Sequence, residues 1–192
     1  WRLFECTRKS STKYGVFELR ISGIYLIKMI INRVLIEGPD CSGKSTAVDR
    51  IKNALRWDAK SLHHRGVDQF ERYVREYSLN ENTVLDRGHF SEAVYGELWR
   101  GGNPFSEEEM KMLNFFAQRK SVIVFVCPAL ETMKQRYGQR NFQQQISSSE
   151  LESSRNLFQK YLKEVNVIPY ESSSYQELDE LVAKIKALAG GK

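Results

Sequence analysis

The stretch Val34-Leu35-Ile36-Glu37-Gly38-Pro39-Asp40-Cys41-Ser42-Gly43-Lys44-Ser45-Thr46 decides how this chain is read. An apolar strand runs into a loop bounded by two glycines, and the loop runs into the start of a helix. Gly38 to Ser45 fits G-x-x-x-x-G-K-[ST] at every fixed position. Glycines let the backbone curl with its N–H groups turned inward, and the following helix opens with unsatisfied donors and a partial positive end. Such a loop holds phosphates. Gly38, Ser42, Gly43, Lys44, Ser45 and Thr46 are therefore the residues expected to bind a nucleoside triphosphate. Lys44 brings a point charge to the outer phosphates, and the Ser45 hydroxyl can ligate Mg²⁺. A chance match is the bland alternative, and the flanking strand and helix argue against it.

Outward from the loop, strand and helix patterns alternate. Strands are expected at 31–37, 59–64, 83–86, 121–127 and 166–170. The fourth, Ser121 to Cys127, is apolar throughout, as a strand covered on both faces should be. Helices are expected at 45–57, between Val67 and Tyr77, at 91–99, from Ser106, at 129–140, from about Glu150, and from Ser174. Ser106 with Glu109, and Ser174 with Glu177, read as capping boxes, and Phe105 with Met110 as a hydrophobic staple. The polar stretch 141–148 reads as a mobile loop. Alternation of this kind argues for an α/β fold, a five-stranded parallel sheet with helices on both faces.

The chain has 192 residues, enough for one domain with a sizeable core. Its net charge of +5 suggests a nucleic-acid partner until it is located. Residues 1–28 carry +4 of it and 29–192 only +1. The body is nearly neutral, so no nucleic-acid partner is expected. Met29 is the first methionine and stands immediately before the first strand. Residues 1–28 are accordingly expected to be a leader or read-through segment outside the fold, and 29–192 the domain; a short added strand at Phe17–Ile21 is the rival reading. No apolar run approaches the ~18 residues that span a membrane, so no membrane partner is expected. Cys6, Cys41 and Cys127 are odd in number and lack metal-site spacing, which points to a reducing, cytoplasmic setting. Cys41 is read as a small filler residue rather than a reactive thiol.

Ligands of an open parallel sheet bind at the carboxyl ends of its strands. Those ends carry Glu37, His63-His64-Arg65, Asp86-Arg87 and Cys127-Pro128. Charged residues gathered around a phosphate loop suit phosphoryl transfer, where positioning and neutralisation of negative charge do most of the work. Lys44, Asp86 and Arg87 are candidate catalytic residues, with Ser45 and Asp86 holding the metal. Lys134, Arg136 and Arg140 could close as a basic lid, Arg136 and Arg140 on the reacting phosphates and Lys134 on ATP; a solvated helix face is the plainer reading. His63 and His64 stay open between lining an acceptor site and forming an ordinary loop.

Ile36-Glu-Gly-Pro-Asp-Cys-Ser-Gly-Lys-Ser-Thr46, with Asp86-Arg-Gly-His-Phe-Ser91 and Tyr95 downstream, resembles the thymidylate kinase family and its deoxynucleoside kinase relatives. The resemblance implies a P-loop NTPase fold, ATP and Mg²⁺ as cofactors, a nucleoside monophosphate or nucleoside as acceptor, and allows a homodimer. It implies acceptor-binding roles for Glu37, Asp40, Arg65, Arg87, Ser91 and Tyr95. Cys41 and Gly88 depart from it: a glycine is usual at the first and an aromatic at the second. The segment between Arg65 and the third strand is also much shorter than in thymidylate kinases.

Three functions follow. The favoured one is transfer of the ATP γ-phosphoryl to a nucleoside monophosphate, thymidylate by resemblance, with Asp40 as the supporting residue. In the second, a deoxynucleoside kinase, Glu37 takes the proton of a 5′-hydroxyl. A GTPase or transport ATPase is the third, and neither N-K-x-D nor L-S-G-G-Q occurs.

Overall fold

A computed structural model describes residues 31–64, 66, 68–79, 81–139 and 147–190. The expectations for the leader, Arg65, Arg140 and the 141–146 stretch lie outside these residues. Five strands form one parallel sheet: β1 (Arg33–Glu37), β2 (Asp58–Ser61), β3 (Thr83–Asp86), β4 (Ser121–Val126) and β5 (Val167–Tyr170), in the order β2-β3-β1-β4-β5. Among the described residues six helices connect them, α1 (Lys44–Leu55), α2 (Gln69–Leu79), α3 (His89–Trp99), α4 (Glu107–Gln118), α5 (Leu130–Gly138) and α6 (Ser148–Leu162), and α7 (Tyr175–Leu188) follows β5. β1 is central, so the phosphate loop leaves the middle of the sheet.

The period-two alternation of the strands sorts their side chains into two cores. Val34, Ile36, Val84, Val122, Val124 and Val126 meet Ala47 and Ile51 of α1 and Leu181 and Ile185 of α7. Leu35, Leu85, Ile123 and Phe125 point the other way, into Tyr73, Phe90, Leu113 and Phe158 of α2, α3, α4 and α6. Leu35 pairs in register with Leu85 and Ile123 and is 1% exposed. Truncation to Ala there costs about 3 kcal/mol.

Differences from the expected elements have local causes. β2 ends at Ser61 rather than at residue 64, and all four of its residues are exposed. It is an edge strand, and Asp58 and Lys60 give it the charges that discourage pairing with a further strand. The Ser106–Glu109 capping box forms with both bonds present. At α7 only half a box forms: Ser174 accepts from the Glu177 N–H, while the Glu177 carboxylate turns back to the N–H groups of Glu171 and Ser173. The helix expected from about Glu150 begins at Ser148, because Ser147 and Glu150 make a full capping box.

Candidate active site

The phosphate loop is shaped by two glycines whose backbone no other residue adopts readily. Gly38 has φ 149°, and a Cβ there would meet the Val126 carbonyl oxygen at 2.2 Å. Gly43 has φ 98° and caps α1 with no side-chain bond to its first N–H groups. Those donors point into the loop beside Ser45 and Thr46, which are exposed. Cys41 adopts φ 60°, the left-handed region, and this explains why a glycine is the usual residue at its place. Its side chain is buried against Met133 and Leu151, in keeping with a filler.

Lys44 is buried and donates to the Pro39 carbonyl at 2.6 Å. Burial and the neighbouring Arg87 charge push its ammonium down to about 8, against the pull of Asp40, Asp86 and Glu37.

On the other side of the loop stand two acids in different states. Asp40 accepts from Arg87 Nη2 at 2.7 Å. Burial alone would raise its pKa, but Lys44 and Arg87 outweigh burial and hold it below the ordinary carboxylate range. Arg87 lies over the Tyr95 ring at 5.1 Å. Burial opposes its charge, yet Tyr95 and Asp40 raise its pKa above the ordinary value. Its backbone sits at φ 71°, a strained conformation for a long side chain and one that clusters at functional sites.

Glu37 is fully buried. Its Oε2 accepts from Ser91 Oγ at 2.5 Å, while Oε1 has no hydrogen-bond partner among the described residues. Burial lifts its pKa to about 7, although Ser91, Arg87 and Lys44 all act to lower it. Asp86 accepts from Ser61 Oγ at 3.3 Å, and its Oδ1 is buried without a partner among the described residues. An exposed Ser45 hydroxyl at the helix start and an orphaned carboxylate oxygen on Asp86 fit a hard divalent cation.

The structure thus gathers Glu37, Gly38, Asp40, Ser42, Gly43, Lys44, Ser45, Thr46, Asp86, Arg87, Ser91 and Tyr95 at the carboxyl edge of the sheet. Ser91 stands there as the partner of Glu37. Arg136 is placed differently from an open lid. It donates to the Ser42 carbonyl at 2.8 Å and to the Ser172 hydroxyl and carbonyl, so it braces the phosphate loop against the segment after β5. Lys134 is exposed on α5. His64 has its Nδ1 2.6 Å from Glu92 Oε1, an oxygen that also accepts from Arg100, which ties it to the wall formed by α3. Glu92, Tyr77, His89 and Ser172 carry no signal in the sequence, because each acquires its role from residues distant along the chain.

These features define a P-loop kinase fold, and solved structures share it. YorR protein from Bacillus subtilis, in complex with phosphorylated GDP, matches with a TM-score of 0.71 at 18% identity, over 82% of this chain and 95% of that one. Deoxyadenosine kinase from M. mycoides, with products dCMP and dCDP bound, matches with a TM-score of 0.55 at 14% identity, over 81% of this chain and 99% of that one. In sequence, the chain is similar to the SPbeta prophage-derived uncharacterized protein YorR of Bacillus subtilis (strain 168). That similarity is 21% identity over 156 residues, 79% of this chain and 94% of that protein. No family model matches the chain. Among the described residues, no helix is long and apolar enough to cross a membrane.

Proposed function

We propose that the protein is an ATP- and Mg²⁺-dependent kinase that phosphorylates a hydroxyl of a nucleoside. One observation carries this reading: Glu37, a fully buried carboxylate at the carboxyl end of the central strand, keeps an oxygen with no partner among the described residues, and burial pushes its pKa up to about 7. A general base works best with a pKa near the operating pH. A neutral hydroxyl needs such a base, whereas a monophosphate already carries its negative charge and instead needs cations. Arg87 is held by Asp40, and Arg136 by the loop after β5. The relatives are in keeping with a nucleotide-sized acceptor, since one is described with phosphorylated GDP and another with dCMP and dCDP.

In this reading Glu37 Oε1 takes the proton of the acceptor hydroxyl. The hydroxyl oxygen forms the new bond to the γ-phosphorus as the bond to the β–γ bridging oxygen breaks, and ADP leaves. Lys44 and the N–H groups at the start of α1 hold the donor phosphates. Arg87 lies between donor and acceptor, where spreading charge needs a fixed cation. Ser45 and Asp86 would hold Mg²⁺, which neutralises charge on the donor phosphates.

A second reading keeps a nucleoside monophosphate, thymidylate by resemblance, as acceptor. The partly exposed Asp40–Arg87 pair favours it, because a sugar hydroxyl can reach Asp40 and a phosphate can draw Arg87 away. Coupled measurement of ADP release against a panel of nucleosides and 5′-monophosphates separates the two. Turnover with nucleosides is expected; turnover with monophosphates alone would establish the second reading. The homodimer and the cytoplasmic setting belong to the same proposal, and sedimentation of the purified chain tests the dimer.

A further inference from the structure

The oxygen of Glu37 that has no partner is not isolated in space. Gly88, the residue after Arg87, has no side chain, and a Cβ there would stand 2.9 Å from Glu37 Oε1 and 2.5 Å from the Tyr77 hydroxyl oxygen. The two oxygens therefore flank one small space over Gly88. The φ of Gly88 is −153°, ordinary extended backbone, so its lack of a side chain reflects this crowding and not strain.

Tyr77 is held hard from the other side. Its hydroxyl oxygen accepts from the His89 N–H at 3.1 Å and stands 2.8 Å from His89 Nδ1. His89 Nε2 stands 2.9 Å from Asn114 Oδ1. Burial keeps His89 neutral, with a pKa of about 4, so its ring carries one proton. That proton sits on Nε2, because only a donor can face Asn114 Oδ1. Nδ1 is then an acceptor and takes the Tyr77 hydroxyl proton. One lone pair of Tyr77 receives the His89 N–H, and the hydroxyl has no proton left to offer Glu37.

We propose that Tyr77 and His89 are positioning residues for Glu37: His89 fixes the Tyr77 hydroxyl so that it faces Glu37 Oε1 with its oxygen and never with a donor. Oε1 and the Tyr77 hydroxyl make no hydrogen bond; across the space over Gly88 the oxygen dipole of Tyr77 disfavours an ionised Glu37 and leaves a protonated one undisturbed. A neighbouring group that disfavours the charged form raises a carboxyl pKa. The pair thus favours the state that Glu37 reaches after taking the acceptor's proton. Ser91 does the reverse, since it donates to the ionised form. The other groups around Glu37 are Lys44 from α1, Arg87 after β3, Asp40 from the phosphate loop, Tyr73 from α2 and Tyr95 from α3.

The inference rests on Glu37 being the base, but its test does not need turnover. Titration of Glu37 in the full chain labelled with δ-¹³C-glutamate, assigned by loss of its signal in Glu37→Gln, reads the pKa directly. Tyr77→Phe should lower it by about one pH unit, and Ser91→Ala should raise it. Asn114→Leu leaves Tyr77 in place but frees the His89 tautomer; it should move the His89 ring proton to Nδ1 in ¹⁵N spectra and also lower the Glu37 pKa. An unchanged or raised pKa in Tyr77→Phe, or in Asn114→Leu if Tyr77→Phe does not fold, would overturn the proposal. If these shifts occur while the acceptor panel gives no nucleoside turnover, the proposed function fails and the positioning stands.

Discussion

Arg33 and Glu37 open and close the same strand, and both are buried, at 3% and 0% exposure. Around Arg33, the chain supplies an oxygen in every direction: the carbonyls of Tyr77, Phe116 and Arg119 and the Ser121 hydroxyl. Around Glu37 it supplies the Ser91 hydroxyl and, among the described residues, leaves Oε1 without a partner. The contrast extends along the carboxyl edge, where Ser42 Oγ and Asp86 Oδ1 are also buried and have no partner among the described residues. A buried polar group left unpaired costs about 1–3 kcal/mol. A chain that satisfies its charge at one end of a strand and leaves it open at the other marks the open end as the one shaped for something besides folding.

Substitutions at the two ends should therefore fail in different ways. Lys44→Ala should lower phosphoryl transfer by about a thousandfold or more, because the donor phosphates lose their buried cation. An ADP-release assay reads it, and activity near that of the parent would remove the phosphate loop from catalysis. Arg33→Met should act on folding alone. It leaves several buried carbonyls unpaired and should cost about 3 kcal/mol in urea denaturation, while activity per folded molecule stays unchanged. A loss of turnover at unchanged stability would break the comparison. Cys41→Gly should have the smallest effect. Relief of the left-handed backbone and loss of the Met133 and Leu151 contacts oppose each other, and the net change should stay within about 1 kcal/mol.

Much of the frame was legible in the residue pattern. Ser121 to Val126 is apolar at every position but the first, and the Ser106–Glu109 box is complete within four residues, so local physics decides both. Gly38 to Ser45 was legible for the same reason. What escaped depends on contacts between distant residues. Nothing near residue 136 says that its guanidinium binds the Ser42 carbonyl, 94 positions away. Ser91 could be placed near the acceptor, but not as the donor to Glu37. The exposure of β2 follows from strand order, which pairs Ala59 with Val84 and leaves the other side open. The raised pKa of Glu37 is a consequence of complete burial, and a glutamate before a phosphate loop does not announce that it will be buried.

Urea denaturation of the parent and Glu37→Gln between pH 4 and 8.5 decides whether the carboxyl edge gives up stability for its chemistry. The ordinary value for Glu37 is 4.5 and the folded value is about 7, so across that window the folded chain holds a proton that the unfolded chain has released. The stability this contributes is fully present below pH 4.5 and is lost as pH rises through 7, by about 3 kcal/mol in all. Glu37→Gln cannot ionise; it should lack this slope, exceed the parent in stability at pH 8, and lose nucleoside phosphorylation. A variant that retains the slope, or that is less stable than the parent at pH 8, would contradict the claim that the carboxyl edge sets stability aside for its chemistry.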